Sequence, residues 1–246
     1  MIETKDIISV KILDRNFFVI KWRMTEWCNY SCSYCIRKNK LVKELPKIDI
    51  LLQEAEAINK ILENKKQNVR LKLIGGEVSF LPLKKLLECI NSSYLKAITL
   101  TTNLSNKIEF YKDLAEYLKS RKILLHILTS YHDEFANEEE YFSKIKDLEK
   151  ICQVQVEIVI NNENKERNYA FFKKLKDTNI KCTLDFDANV SDKEKISLKE
   201  EINDIMSTKG NNVLTLKTLE KINCSNSFLK RNLLFSDNVK MLCNTT

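Results

Sequence analysis

The chain has 246 residues, 43% of them apolar and 30% charged, enough for a full hydrophobic core and an ordinary soluble surface. Its longest apolar runs, residues 7–10 and 123–128, are far too short to span a bilayer, and its first residues lack the features of a secretory signal. These features exclude a membrane-spanning or secreted protein, so we expect a cytoplasmic one with no membrane partner. The net charge of +7 comes from lysines spread along the chain without a dense basic block, which disfavours nucleic acid as a partner but leaves it open.

Apolar runs of strand length alternate along the chain with amphipathic helical patterns. The predicted strands are residues 17–23, 69–74, 97–101, 123–129, 154–160 and 181–186, and the predicted helices are 48–64, 83–91, 107–120, 138–151 and 165–178. Single helices between strands are typical of repeated βαβ units, so we predict an α/β fold with a parallel sheet, either open or a partial barrel. The strands are nearly continuous in apolar character, so we expect both sheet faces to be buried. Functional residues should lie at the carboxyl ends of these strands.

The pattern changes near residue 190, which we take as a loose domain boundary. Residues 1–190 form the predicted core, and residues 191–246 form a small carboxyl-terminal extension. Within the extension, residues 192–206 have the pattern of a charged helix, and residues 213–219 and 233–242 have that of short strands.

A compact cysteine cluster follows the first predicted core strand, with the spacing Cys-x3-Cys-x2-Cys at Cys28, Cys32 and Cys35. Three thiolates on one loop can hold a single metal centre, and a cubane iron–sulfur cluster with three protein ligands has one open iron. A zinc site or a redox thiol group is the alternative. A closed zinc site needs a fourth ligand nearby, yet neither His126 nor His132 has the usual spacing.

This triplet, with the aromatic Tyr34 before its last cysteine, resembles the signature of the radical S-adenosylmethionine (radical SAM) superfamily. The resemblance implies a partial (β/α)6 barrel and a [4Fe-4S] cluster whose open iron chelates the amino and carboxylate groups of S-adenosylmethionine. It also implies that Tyr34 helps to seat the adenine.

Further motifs lie directly after predicted strands. Gly75-Gly76-Glu77 can be a simple tight turn, but beside the cysteines it resembles the family's Gly-Gly-Glu motif. That resemblance implies that its backbone and carboxylate receive the ammonium of the cofactor's methionine part. Three polar residues at later strand ends are candidates for contacts with the ribose or the methionine carboxylate: Asn103, Ser130 and His132. Asn103 as a turn former and His132 as a solvated loop residue are equally good interpretations.

The remaining cysteines fall into two groups. Cys89, Cys152 and Cys182 lie inside apolar patterns, so we predict core positions for them. Cys224 and Cys243 resemble the opening of a SPASM/twitch auxiliary-cluster domain, with Asn238 in place of its glycine. Cys224 and Cys243 are candidate ligands of an auxiliary cluster. Two cysteines cannot hold a cubane alone, so the segment can also be a truncated or degenerate SPASM/twitch-like remnant or a cap over the barrel.

The resulting hypothesis is a radical SAM enzyme whose radical abstracts a hydrogen atom from substrate. We expect a flavodoxin- or ferredoxin-type reductant protein as partner. The auxiliary-domain resemblance favours a peptide or protein side chain as substrate, with tRNA or a carbohydrate next. Two other classes stay open: a non-catalytic iron–sulfur or zinc-binding module, and a nucleic-acid-binding protein.

Overall fold

The computed structural model describes residues 7–14, 17–176, 178, 180–187 and 190–198, and within these it contains one sheet of seven strands in sequence order. The strands are β1 Ile7–Asp14, β2 Phe17–Thr25, β3 Val69–Gly75, β4 Leu95–Thr102, β5 Leu124–Tyr131, β6 Gln153–Ile160 and β7 Lys181–Phe186. Strand β1 is antiparallel to β2, and every later neighbour is parallel. The six parallel strands confirm the predicted partial (β/α)6 barrel, whereas β1 was missed.

Five α-helices connect the parallel strands: α1 Ile48–Lys65, α2 Leu83–Glu88, α3 Ile108–Ser120, α4 Glu138–Glu149 and α5 Lys165–Lys176. Right-handed crossovers between strands in sequence order place all five helices on one sheet face. The largest core cluster lies between that face and the helices, and it contains Trp22, Leu73, Ile127 and Phe171, all fully buried. Burial of such side chains is the main favourable contribution to the fold.

The opposite face of the sheet, here called the inner face, is only partly covered by the residues that the structure describes. Residues in β3, β5 and β6 alternate between buried and half-buried positions. Among the described residues, the expectation that both faces are buried holds for β4 at residues 97–100 but not for β3, β5 and β6. A partial barrel does not close its wall, so the concave side stays open and takes polar side chains.

The predicted core cysteines lie in or against the core. Cys182 is buried, and Cys89 and Cys152 pack against the core from partly buried positions. Burial raises the pKa of Cys152 to about 12 and raises that of Cys182 as well, so both stay protonated at neutral pH.

The described part of the carboxyl-terminal extension is helical at residues 192–198. Leu198 is fully buried in the same core cluster, and the Tyr169 hydroxyl donates to its carbonyl at 3.5 Å. The boundary near residue 190 stays a prediction. The strands at 213–219 and 233–242, and Cys224, Asn238 and Cys243, lie outside the described residues. None of the helices that the structure describes combines the length and apolar character that crossing a bilayer requires.

Candidate metal and cofactor site

The cysteine loop leaves the carboxyl end of β2 and lies over the edge of the sheet where the parallel strands end. An isolated bridge between Trp27 and Val42 closes its base. All three of its cysteines are free thiols, with Cys32 buried and Cys28 and Cys35 half-buried. The loop therefore presents three unpaired sulfurs at the edge where a parallel sheet gathers its ligands.

Backbone amides of the same loop point at two of these sulfurs. The Tyr30 N–H donates to Cys28 Sγ at 3.4 Å, and the Arg37 N–H donates to Cys35 Sγ at 3.4 Å. The Asn103 amide nitrogen also lies 4.0 Å from Cys28 Sγ. N–H donors of this kind favour the thiolate, and they tune the potential of a cluster that such sulfurs hold.

Burial opposes ionisation of the same thiols. It raises the pKa of Cys32 to about 12, with the negative charge of Glu134 as the next cause. It also raises the pKa of Cys28, against the hydrogen bond from Tyr30. The two sulfurs are thus neutral thiols at pH 7 unless a cation lies beside them, and a bound metal centre supplies that charge.

The spacing of the ligands bears on the kind of metal centre. A single zinc ion holds each thiolate at about 2.3 Å, which draws the sulfurs together. Within the described ranges, no group of three or more His, Cys, Asp or Glu side chains converges closely enough to hold one ion. A cubane instead takes its protein ligands on separate irons, so its thiolates lie farther apart than those around one zinc ion.

Two contacts hold the loop in place against its surroundings. On one side Arg37 forms a bidentate ion pair with Glu26, at the base of the loop. On the other side the Ser33 N–H donates to the Glu134 carboxylate at 3.0 Å, and its hydroxyl also bonds that carboxylate. No functional role was predicted for Glu26, Arg37 or Glu134, although Glu134 lies three residues after the end of β5.

Gly75 and Gly76 bring β3 into close contact with the start of the cysteine loop. The Gly76 N–H donates to the Thr25 carbonyl at 2.8 Å, and the Glu77 N–H donates to the Trp27 carbonyl at 2.8 Å. A Cβ atom on Gly75 would overlap the Thr25 carbonyl oxygen, and one on Gly76 would overlap that of Trp27. The glycines are therefore required by the close approach of two backbone segments; a role toward a methionine ammonium stays a prediction.

Gly76→Ala is expected to displace the cysteine loop, because the new methyl group meets backbone that cannot rotate away. We predict a free energy of unfolding lower by about 1–3 kcal/mol and a clear loss of bound iron after anaerobic reconstitution. Urea unfolding and iron analysis measure the two effects. Ser31→Ala, at an exposed position of the same loop, is the control and should match wild type. Wild-type stability in Gly76→Ala would contradict the close packing.

Glu77 is fully buried, and its carboxylate accepts three hydrogen bonds. The Ser79 N–H donates at 2.9 Å and the Thr102 hydroxyl at 2.8 Å, both to Oε1, and the Asn103 N–H donates to Oε2 at 2.6 Å. Burial raises the pKa of Glu77, and these hydrogen bonds oppose that rise. The carboxylate thus joins the end of β3 to the end of β4.

Asn103 forms a local turn and also contacts the cysteine loop. Its Oδ1 accepts from the Ser105 N–H at 3.0 Å, which makes a local turn. Its Nδ2 donates to Asn29 Oδ1 at 3.0 Å, which ties the end of β4 to the cysteine loop. A contact with ribose or methionine stays a prediction.

His132 is not a solvated loop residue. Its ring stacks on Tyr34, with centroids 5.9 Å apart, and packs edge-on against Tyr30. Its Nδ1 lies 3.2 Å from Cys32 Sγ and 3.0 Å from the Tyr34 hydroxyl. Burial lowers the pKa of His132 to about 4, so the imidazole is neutral at pH 7.

Tyr34 and Ser130 lie in different surroundings. Tyr34 is buried within the cysteine loop, and burial raises the pKa of its phenol. Ser130 lies on β5, in register with Glu157 of β6, and that row continues to Thr183 of β7. The structure thus brings Tyr34, His132, Asn103 and the glycine motif to the cysteine loop and places Ser130 on the adjoining inner face.

No family model matches the chain. It is 29% identical over 92 residues to an S-adenosylmethionine-dependent nucleotide dehydratase of Psychrobacter lutiphocae, covering 34% of this chain and 30% of that protein. It is 38% identical over 68 residues to a protein of the same name from Fibrobacter sp., covering 24% of this chain and 19% of the other. The chain thus aligns with less than a third of these curated relatives.

Solved structures match over more of the chain. Streptococcus suis SuiB superposes with a TM-score of 0.58 at 15% identity, over 82% of this chain and 49% of SuiB. SuiB bound to S-adenosylmethionine gives the same TM-score. A radical SAM methyltransferase from Sphaerobacter thermophilus gives 0.55 at 13% identity, over 85% of this chain and 68% of that protein. The chain spans about half the length of SuiB.

The fold and the cysteine loop define a partial α/β barrel with a thiol-lined site at its carboxyl edge. Its structural neighbours include a radical SAM enzyme, and the curated sequences that it matches are S-adenosylmethionine-dependent. The likeness to these solved structures confirms the predicted partial-barrel fold.

Proposed function

We propose that this chain is a radical SAM enzyme that holds a [4Fe-4S] cluster on Cys28, Cys32 and Cys35. The observation that carries the proposal is three free thiols on one loop at the carboxyl edge of a radical SAM fold. When bound, the cluster supplies the electron that cleaves S-adenosylmethionine to methionine and a 5′-deoxyadenosyl radical, which abstracts a hydrogen atom from substrate.

The chain's own residues position the reactants. The amides of Tyr30 and Arg37 orient two of the sulfurs, and Glu77 fixes the strand ends against which the cofactor would lie. We assign the adenine to the neighbourhood of Tyr34 and the methionine part to the Gly75–Glu77 turn. Asn103, Ser130 and His132 remain candidates for its polar contacts.

The direct test is cleavage of S-adenosylmethionine by the reconstituted protein under dithionite, with 5′-deoxyadenosine and methionine measured by mass spectrometry. We expect both products and about four irons per chain. Bound iron without cleavage would indicate a non-catalytic iron–sulfur module, and one zinc per chain would indicate a zinc module. Salt-sensitive RNA retention that survives loss of the cysteines would indicate a nucleic-acid-binding protein.

An acidic electron carrier of the flavodoxin or ferredoxin type is the proposed source of the electron. The segment directly after Cys35 supports this partner, because it exposes Lys38, Lys40 and Lys43 beside Ile36, which is 82% exposed. Basic residues around an exposed apolar side chain complement an acidic partner surface.

A phosphate-bearing substrate, such as a nucleotide, is the candidate that the inner face favours. Lys21, Lys72 and His126 lie in one register row, joined through Thr99 of β4. Burial, followed by the positive charges of Arg70, Lys72 and Lys181, lowers the pKa of His126 to about 4, so its imidazole is neutral at pH 7. The same face also carries the carboxylates of Glu157 and Asp185 on β6 and β7.

Lys21 and Lys72 carry the positive charge of this row, and they lie on the inner face a few residues before the carboxyl ends of β2 and β3, from which the cysteine loop is reached. The curated relatives named nucleotide dehydratase support the same substrate class. A peptide or protein side chain is the second candidate, and it rests on the resemblance of the segment around Cys224 and Cys243.

Lys72→Met should weaken binding of ribonucleoside triphosphates about tenfold or more, because it removes one charge-assisted contact to phosphate. Calorimetry on the reconstituted protein with each of the four triphosphates measures this affinity. Lys96→Met, at an exposed position of β4, is the matched control and should bind as wild type. If the two variants bound the triphosphates with equal affinity, or if the protein bound none of the four triphosphates, the proposal of a nucleotide on this row would be contradicted. The peptide would then remain as the candidate substrate.

A further inference from the structure

The imidazole of His132 connects the end of β5 to a cysteine that lies 100 residues earlier in the chain. We propose that His132 is a positioning residue for the metal centre: its Nδ1–H donates a hydrogen bond to the Cys32 sulfur and raises the reduction potential of the bound cluster. The inference rests on the proposed function, since it requires the cluster on Cys32.

The contact has the geometry of an N–H···S hydrogen bond. Nδ1 lies 3.2 Å from Cys32 Sγ, and the ring is held by stacking on Tyr34 and by the edge contact with Tyr30. Cys32 is the most buried of the three cysteines of the loop, with 5% of its surface exposed. A hydrogen bond in such surroundings is little screened by water.

The protonation state of the sulfur decides which atom is the donor. A free Cys32 thiol can donate its proton to Nδ1, whereas a metal-bound cysteine is a thiolate and can only accept. Metal binding therefore requires the neutral tautomer that carries its proton on Nδ1. The Tyr34 hydroxyl, 3.0 Å from the same nitrogen, can donate or accept and so fits either tautomer.

The effect of this hydrogen bond on the reduction potential of the cluster follows from charge. One-electron reduction adds negative charge to the cluster, and part of that charge resides on the ligand sulfurs. A hydrogen-bond donor that points at one of these sulfurs therefore stabilises the reduced cluster more than the oxidised cluster. The two amides that donate to Cys28 and Cys35 act in the same direction. His132 provides the corresponding donor for Cys32 from another strand of the barrel.

The competing role for His132 is a contact with S-adenosylmethionine, and the two roles predict different experimental results. A cofactor contact changes the affinity for S-adenosylmethionine and leaves the potential of the cofactor-free cluster unchanged. The Cys32 hydrogen bond changes that potential without any S-adenosylmethionine present.

The test is a redox titration of the reconstituted, cofactor-free protein, followed by electron paramagnetic resonance. His132→Leu removes the donor, and we expect a more negative midpoint potential, with the reduced-to-oxidised ratio at the wild-type midpoint lower by about fivefold. His132→Asn keeps an N–H donor near the position of Nδ1 and should restore the wild-type value. His132→Gln places its amide near the position of Nε2 and should behave like the leucine variant.

Two controls keep the result interpretable. Cys89→Ala, at the carboxyl end of α2 and outside the cysteine loop, should leave the potential unchanged. Iron content must match wild type in each variant compared; if His132→Leu loses iron, the Asn and Gln variants carry the test. An unchanged potential in His132→Gln with full iron would overturn this inference, whereas absence of any cluster in the wild type would overturn the proposed function itself.

Discussion

Cys32→Ala should lose most of the bound iron and all formation of 5′-deoxyadenosine. Two thiolates cannot hold a cubane cluster securely, and the buried position of Cys32 leaves little room for water to replace its sulfur. Iron analysis, the brown absorbance of the reconstituted protein and product analysis by mass spectrometry measure the effect.

The matched control for that variant is Cys89→Ala, at the carboxyl end of α2. Cys89 is a free, half-buried thiol that packs against the core and is not part of the cysteine loop. We expect wild-type iron and wild-type product formation in this control. Full iron and turnover in Cys32→Ala would show that the ligand assignment is wrong.

Glu77→Ala should lower the free energy of unfolding by about 3–5 kcal/mol, in a protein whose total is on the order of 5–15 kcal/mol. The substitution leaves the N–H groups of Ser79 and Asn103 and the hydroxyl of Thr102 without their acceptor in a fully buried place. Urea unfolding of the metal-free protein measures the loss without interference from the cofactors.

Glu77→Gln separates hydrogen bonding from charge. Its Oε1 can still accept from Ser79 and Thr102, but its NH2 group faces the Asn103 N–H, so we expect about half of the alanine effect. Glu88→Ala, at the exposed end of α2, is the control and should change stability by less than about 0.5 kcal/mol. A loss in Glu77→Ala no larger than in this control would mean that the carboxylate does not organise the strand ends.

Much of the fold was predictable because hydrophobic periodicity and element length are local properties. The predicted strand 181–186 coincides with β7, and the predicted helix 48–64 differs from α1 by a single residue. Strand β1 was missed because residues 7–10 were interpreted only as an apolar run too short to span a bilayer.

The site was predictable where chemistry is carried by neighbouring residues, as in the cysteine triplet. The contact partners of Gly76, Glu77 and His132 were not predictable, because each contact joins segments that are far apart in the chain. The sequence showed two glycines after a strand, but only the structure shows the Thr25 and Trp27 carbonyls that leave no room for a side chain. Hydrophobic periodicity likewise does not indicate that the His132 ring lies against the Cys32 sulfur.

The most direct test of the central claim is magnetic resonance of the reduced, reconstituted protein with S-adenosylmethionine labelled with nitrogen-15 at its amino group and oxygen-17 at its carboxylate. If three thiolates leave one iron open for the cofactor, both labels should show hyperfine coupling to the cluster. A reduced cluster whose spectrum is unchanged by S-adenosylmethionine, with no coupling to either label, would contradict the account.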